Sequence, residues 1–208
     1  MRLIVIGSVH LDPRGPELLK TALDRIMPER VTVDVSRYAV QFRKGKGPEL
    51  LALLEPFRRA DGTLPASLEA VEAQISIPFE LRAVECWCNI YDKAYYMIGD
   101  DGDSAGRLKL FETELMSSEN LAFLATQRIG SLASQARRQW AKARAACTGK
   151  VSAEPCDEHI AGQLRILAPE SGCLMHITGW EHLSPLSALL FDLSPSVKLL
   201  DEFSPQRS

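Results

Sequence analysis

The chain has four histidines, and two of them fill the same slot of a phrase that occurs twice. Near the start it reads Gly7-Ser8-Val9-His10-Leu11-Asp12-Pro13, and near the end Gly179-Trp180-Glu181-His182-Leu183-Ser184-Pro185. Both fit G-x-x-H-L-[DS]-P. An imidazole changes charge near neutral pH and is also a common metal ligand. The carboxylate that belongs with the pair is Asp34, with Arg37 three residues further on. Three readings of His10, Asp34 and His182 stand side by side. They bind a divalent ion such as Mn, Co or Zn and leave positions open for water. One imidazole, oriented by Asp34, activates water directly. Or the histidines pack at turns and Asp34 is a solvated strand end. Arg37 and Arg107 can grip a substrate carboxylate or phosphate through their planar forks, or serve ordinary surface ion pairs.

The elements around these residues favour a shared site. Each phrase follows an apolar run, Leu3-Ile4-Val5-Ile6 in one case and Leu174 to Thr178 in the other, and each precedes helical periodicity. The glycine is expected to end a strand through backbone angles closed to other residues. Asp12 or Ser184 then caps a helix, with proline at its first position. Each histidine is thereby left at a strand's carboxyl end, the rim where ligands sit in open α/β sheets.

Residues 2–7 read as a strand buried on both faces. Leu18, Leu19, Ala22, Leu23 and Ile26 recur at helical spacing, and Val31 to Val35 is a second strand, completing a right-handed βαβ unit. Gly45-Lys46-Gly47-Pro48 predicts a loop between two short helices. A helix from Pro78 carries Phe79, Ala83, Trp87 and Ile90 on one face. Ala94 to Ile98 is a third strand, ending in an acidic turn where Asp100 and Asp101 read as turn formers. A single long helix is expected from Ser118 to about Ala146, closed by Gly149, with a basic face carrying Arg137, Arg138 and Lys142. A helix near 157–167, a strand at 173–178, a Leu-rich helix and a strand at 197–200 complete the chain. His176 lies within a strand and reads as a core residue. The expected fold is α/β: a mainly parallel central sheet of about four or five strands with flanking helices. One domain spans 1–203, with helical insertions at roughly 36–93 and 104–168 and a disordered tail at 204–208.

Composition narrows the classes. Hydrophobic residues make up 46% and charged residues 25%, and the formal net charge is −3. That balance gives no electrostatic reason to expect a nucleic-acid partner. Five cysteines without framework spacing favour a reducing compartment. No signal-peptide pattern and no apolar stretch near ~18 residues is present, so a cytoplasmic location and no membrane partner are expected.

Taken together, these motifs resemble the TraB/GumN/Tiki group of the erythromycin-esterase/ChaN-like superfamily. Gly7 to His10 is similar to that group's first motif, and residues 179–201 to its last. Its acidic residue after strand two corresponds to Asp34 with Arg37, and its Asp after strand three to Asp100 or Asp101 with Arg107. Two departures are visible: Asp stands where the group has Glu, and the Arg that would follow Glu119 is missing. The resemblance implies a hydrolase of an ester or amide bond acting on a small-molecule or peptide substrate. In it His10 and Asp34 prepare water, His182 completes the metal or base site, and Arg37 orients the substrate. The same group includes metal-dependent, metal-independent and non-catalytic members. The alternative is therefore a binding module that holds a small anionic ligand or peptide in the same cleft. An interaction protein working through the basic helix is a third reading, and a homodimer through the helical lobe stays open.

Overall fold

A computed structural model describes residues 2–146 and 152–204. Five strands form one all-parallel sheet: β1 (Arg2–Ser8), β2 (Arg30–Val33), β3 (Ala94–Met97), β4 (Cys173–Gly179) and β5 (Ser196–Leu199). Their spatial order is β3-β2-β4-β1-β5. The helices between them are α1 (Gly15–Ile26), α2 (Arg37–Ala52), α3 (Ala66–Ile75), α4 (Phe79–Tyr91), α5 (Asp101–Leu110), α6 (Ser118–Thr126), α7 (Leu132–Ala146), α8 (Pro155–Leu167) and α9 (Leu183–Leu189).

The central strands are apolar on both faces because both faces are covered. Ile4, Ile6, Leu174 and Ile177 are fully buried, each such side chain contributing about 1.5–3 kcal/mol. The hand of parallel crossovers fixes which face each helix takes. Connections leaving β1 and β2 move toward β3 and put α1 and α4, which pack together, on one face. Connections leaving β3 and β4 move the other way and put α8 and α9, also packed together, on the opposite face.

A second apolar cluster lies away from the sheet. Leu50, Leu54, Leu68, Val71, Ile75 and Leu121 join α2, α3 and α6 into a helical lobe. That packing explains why the expected break at Gly45-Lys46-Gly47-Pro48 is not there: α2 runs through it without interruption. Burial of Leu50 and Leu54 outweighs the local cost of glycine and proline, since most helical stability comes from tertiary contact. The opposite correction applies further on. The expected single helix from 118 to 146 is two, because Gln127 is extended and Ser131 accepts from Ser134 N–H as the second helix begins. Gly149 and residues 205–208, expected as a helix stop and a frayed tail, lie outside the described residues. Among the described residues, no helix is long and apolar enough to cross a membrane.

Candidate functional site

Neighbouring strands β1 and β4 send their connections to opposite faces, so a crevice opens at their carboxyl ends. A cleft of about 490 Å³ occupies it, lined by His10, Asp34, Glu80, Cys156, Thr178 and His182 among others. Both repeated phrases therefore reach one cleft, by different local routes. Arg14, not Asp12, is the residue immediately before α1, but the buried Asp12 carboxylate accepts Arg14 N–H at 2.9 Å at the entry to the helix and is held by the Arg14 guanidinium and by Trp140 Nε1 at 2.8 Å. In the second copy His182 itself precedes α9, and Pro185 lies inside it. Nor do the glycines serve unusual backbone angles. Gly179 has φ −62°, and Gly7 lies inside β1. They permit close approach: a Cβ on Gly7 would come within 2.5 Å of Leu183, and one on Gly179 would meet both imidazoles.

His10 is anchored from the α1/α4 face. Gly15 lets the Phe79 ring pack against the start of α1, where a Cβ would come within 2.4 Å of it. That contact brings the first turn of α4 beside the β1–α1 loop. Glu80, 2% exposed, then receives two donors on Oε1: the Ser8 hydroxyl at 2.7 Å and His10 Nδ1 at 2.6 Å. Its Oε2 is buried with no protein partner. Crowding in the cleft works against charge on His10, but 58% of the side chain stays open to solvent. The Glu80 charge and hydrogen bond, helped by Glu181 and Asp34, override that crowding and raise the imidazole pKa to about 9. For Glu80, burial disfavours the charge, but the His10 charge and hydrogen bond, with the Ser8 hydroxyl, pull its carboxyl below the usual range. The pair is ionic at neutral pH.

His182 is anchored from the α8/α9 face. Its Nδ1 lies 2.7 Å from Oδ1 of Asp157, which is 1% exposed. Asp157 Oδ2 accepts from Glu154 N–H at 2.8 Å and closes the first turn of α8. A carboxylate only accepts, so the hydrogen bond to Asp157 runs from Nδ1–H of His182. The two rings meet at Gly179. A Cβ there would lie 3.2 Å from His10 Nε2 and 3.5 Å from His182 Cδ2. Asp34 joins them from β2, with Oδ2 accepting from the Thr178 hydroxyl at 2.8 Å.

The expected substrate arginines are placed differently from each other. Arg107 lines the cleft but is paired with Asp103 at 2.9 Å and Glu154 at 3.6 Å. Arg37 is exposed in the first turn of α2 and outside the cleft lining. Asp100 caps α5, and Asp101 accepts from Tyr38 N–H. His176 is fully buried in β4, its Nδ1 3.0 Å from the Thr32 hydroxyl.

The expected metal trio of His10, Asp34 and His182 is not the set drawn tightest. Among the described residues, the ligand atoms that come within 4.8 Å of one another belong to Cys156, Asp157 and His182. A thiol, a carboxylate and an imidazole can hold a metal ion, and that donor set suits zinc better than manganese.

Glu80 and Asp157 are the site residues the motifs did not reveal. Both carry a signal in retrospect. Glu80 lies on the buried stripe of α4 with Val84 and Trp87, and Asp157 on that of α8 with Ile160, Ala161 and Leu164. A carboxylate on an apolar stripe needs a partner.

By fold and site the chain is an open, all-parallel α/β protein with two carboxylate-anchored histidines at its switch point. Comparison with protein-family models, curated proteins and solved structures gives no match to any of them.

Proposed function

We propose that the chain is a hydrolase of an ester or amide bond, acting on a small-molecule or peptide substrate bound in the rim cleft. One observation carries this reading: two imidazoles, each hydrogen-bonded through Nδ1 to a buried carboxylate, stand at Gly179 in one cleft. In this mechanism the roles expected from the motif are exchanged: the Glu80 charge and hydrogen bond favour a protonated His10, which serves as the donor, and His182 serves as the base. His182 Nε2 takes a proton from water as its oxygen attacks the carbonyl carbon. His10 Nε2–H donates to the departing alkoxide or amine as the bond to carbon breaks. The proton then returns from His182 to His10 through solvent, and Asp34 adds negative potential that steadies the His10 cation. A zinc ion on Cys156, Asp157 and His182 would supply Lewis acidity at the same cleft, and His182, as its ligand, would then not serve as the base.

The resemblance to the TraB/GumN/Tiki group and a cytoplasmic setting belong to this same proposal. Its test is turnover of a panel of activated esters and peptides, with and without added Zn, Mn and Co. Wild type is expected to turn over at least one, and His182→Ala or His10→Ala to lose about 10²–10⁴ of that rate. Turnover indifferent to both substitutions sinks the reading. No turnover, together with saturable ligand binding, favours the binding module instead.

A further inference from the structure

Arg43 is a cation without a counter-charge in a wall of the same cleft. It projects from α2 and lines the cleft with Gln74, Ser76 and Ile77. Its Nε donates to Gln74 O, and its Nη1 donates to Ala39 O, each at 3.1 Å. Two backbone carbonyls from two helices thus fix the plane of the guanidinium. No carboxylate pairs with it among the described residues, and the only influence on its charge is burial, which works against it. A guanidinium has five N–H donors, so most of its fork stays unused. A partly buried, pre-oriented and unpaired charge costs stability unless something binds it. The other cleft cations are differently placed: Arg107 is neutralised by Asp103 and Glu154, and His10 by Glu80. Arg82, on the exposed side of α4, is also in the cleft lining and without an ion pair among the described residues.

We propose that Arg43, with Arg82 of the same cleft lining, binds an anionic group of the ligand, a carboxylate or a phosphate. This rests on the hydrolase reading for the word substrate, but the anion site stands without any chemistry at the imidazoles. A fixed planar fork suits either oxyanion bidentately, which a lysine at the same place would not. The hydrolase substrate would then carry a negative charge apart from the bond that is cut.

The test is calorimetric titration of the full chain with inorganic phosphate and, separately, with succinate, at constant ionic strength and with no substrate present. Saturable one-site binding of one of them by wild type is expected, and which one binds separates phosphate from carboxylate. Arg43→Gln should weaken it by about tenfold or more, Arg43→Lys should restore only part, and Arg25→Gln, exposed and outside the cleft lining, should leave it as in wild type. Far-UV circular dichroism checks that each variant folds; if Arg43→Gln does not, Arg82→Gln carries the comparison, with weakening expected. Binding of neither anion, or binding equal in wild type and the Arg43 and Arg82 variants, overturns the proposal. So does binding lost in His10→Gln but kept in Arg43→Gln, which would place the anion on the imidazolium. Anion binding that persists in His182→Ala supports the site whether or not the chain hydrolyses anything, so the two readings fail separately.

Discussion

Glu80 and Asp157 both stand in the first turn of a helix, two residues after a proline, Pro78 or Pro155, and each accepts from Nδ1 of one rim histidine. They reach the crevice from opposite faces of the sheet. Each is nearly inaccessible to solvent and fixes a ring that lines the cleft. The Glu80 anchor also favours charge on its ring, and pH should expose that at His10.

The His10 pKa is raised from 6.5 to about 9 on folding, so the stabilisation by its pair with Glu80 is complete below pH 6.5 and lost as pH rises through about 9. The carboxyl is shifted the other way, so its share is present above 4.5 and lost as pH falls through its lowered value. Glu80→Gln should therefore cost roughly 1–3 kcal/mol near pH 6, and much less at about pH 10. Thermal melts of both proteins across that range check it, with the His10 ring resonance followed by NMR. A His10 titration midpoint near that of free histidine would contradict the ion pair.

His176 should behave in the opposite sense. Burial lowers its pKa to about 4, and Nε2 has no partner. Between 6.5 and about 4 the unfolded chain takes up a proton that the folded chain does not, so stability falls as pH falls through that window. His176→Leu should remove this sensitivity, and the melting temperature of the variant relative to wild type should climb as pH drops from about 7 to about 4.5. A constant difference would mean that the imidazole is protonated in place.

Gly179→Ala tests whether the rings meet where the geometry puts them. The backbone at φ −62° accepts alanine, so stability should change by less than about 1 kcal/mol. The new methyl would sit 3.2 Å from His10 Nε2 and 2.9 Å from the Glu181 carboxylate, forcing both to move. A rate loss of about tenfold to a hundredfold with an unchanged melt is expected. Full activity would place the reacting groups elsewhere.

Trp140 ties α7 to the β1–α1 loop through its indole N–H on the buried Asp12 carboxylate. Burial would push that carboxyl up, but the Trp140 hydrogen bond, with those from Arg14, holds it below 3.8. Trp140→Phe should cost about 1–3 kcal/mol at neutral pH. The Asp12 contribution is present above 3.8 and lost as pH falls through its lowered value, so the deficit should narrow in acid. Guanidinium melts at about pH 7 and about pH 3 compare the two directly.

The central strands were legible because a parallel strand covered on both faces is a largely apolar run, as Leu3 to Ile6 is and as Leu174 to Ile177 is apart from His176, whereas the partly exposed edge strands β3 and β5 were read from the short runs Ala94 to Ile98 and Val197 to Leu200. The order β3-β2-β4-β1-β5 was not legible, since nothing local to β1 says that β4, about 170 residues away, is its partner. Helix limits were misread wherever packing outweighed local chemistry, as at Pro48 inside α2. The rim position of His10, Asp34 and His182 followed from strand ends alone. Glu80 and Asp157 were hidden because a single acidic residue near a helix start is usually a solvated first-turn carboxylate favoured by the helix dipole. Only the apolar residues three, four and seven places on distinguish them.

The sheet order also bears on how the chain is made. Of the five strands β1 comes first in the chain, yet both of its neighbours, β4 and β5, come from residues 173–199. Until those residues leave the ribosome, Leu3 to Ile6 form an apolar strand with two open edges, the kind of segment that nascent chains aggregate through. A ribosome stalled after α8 would accordingly carry a sheet without its centre and an unpaired β1.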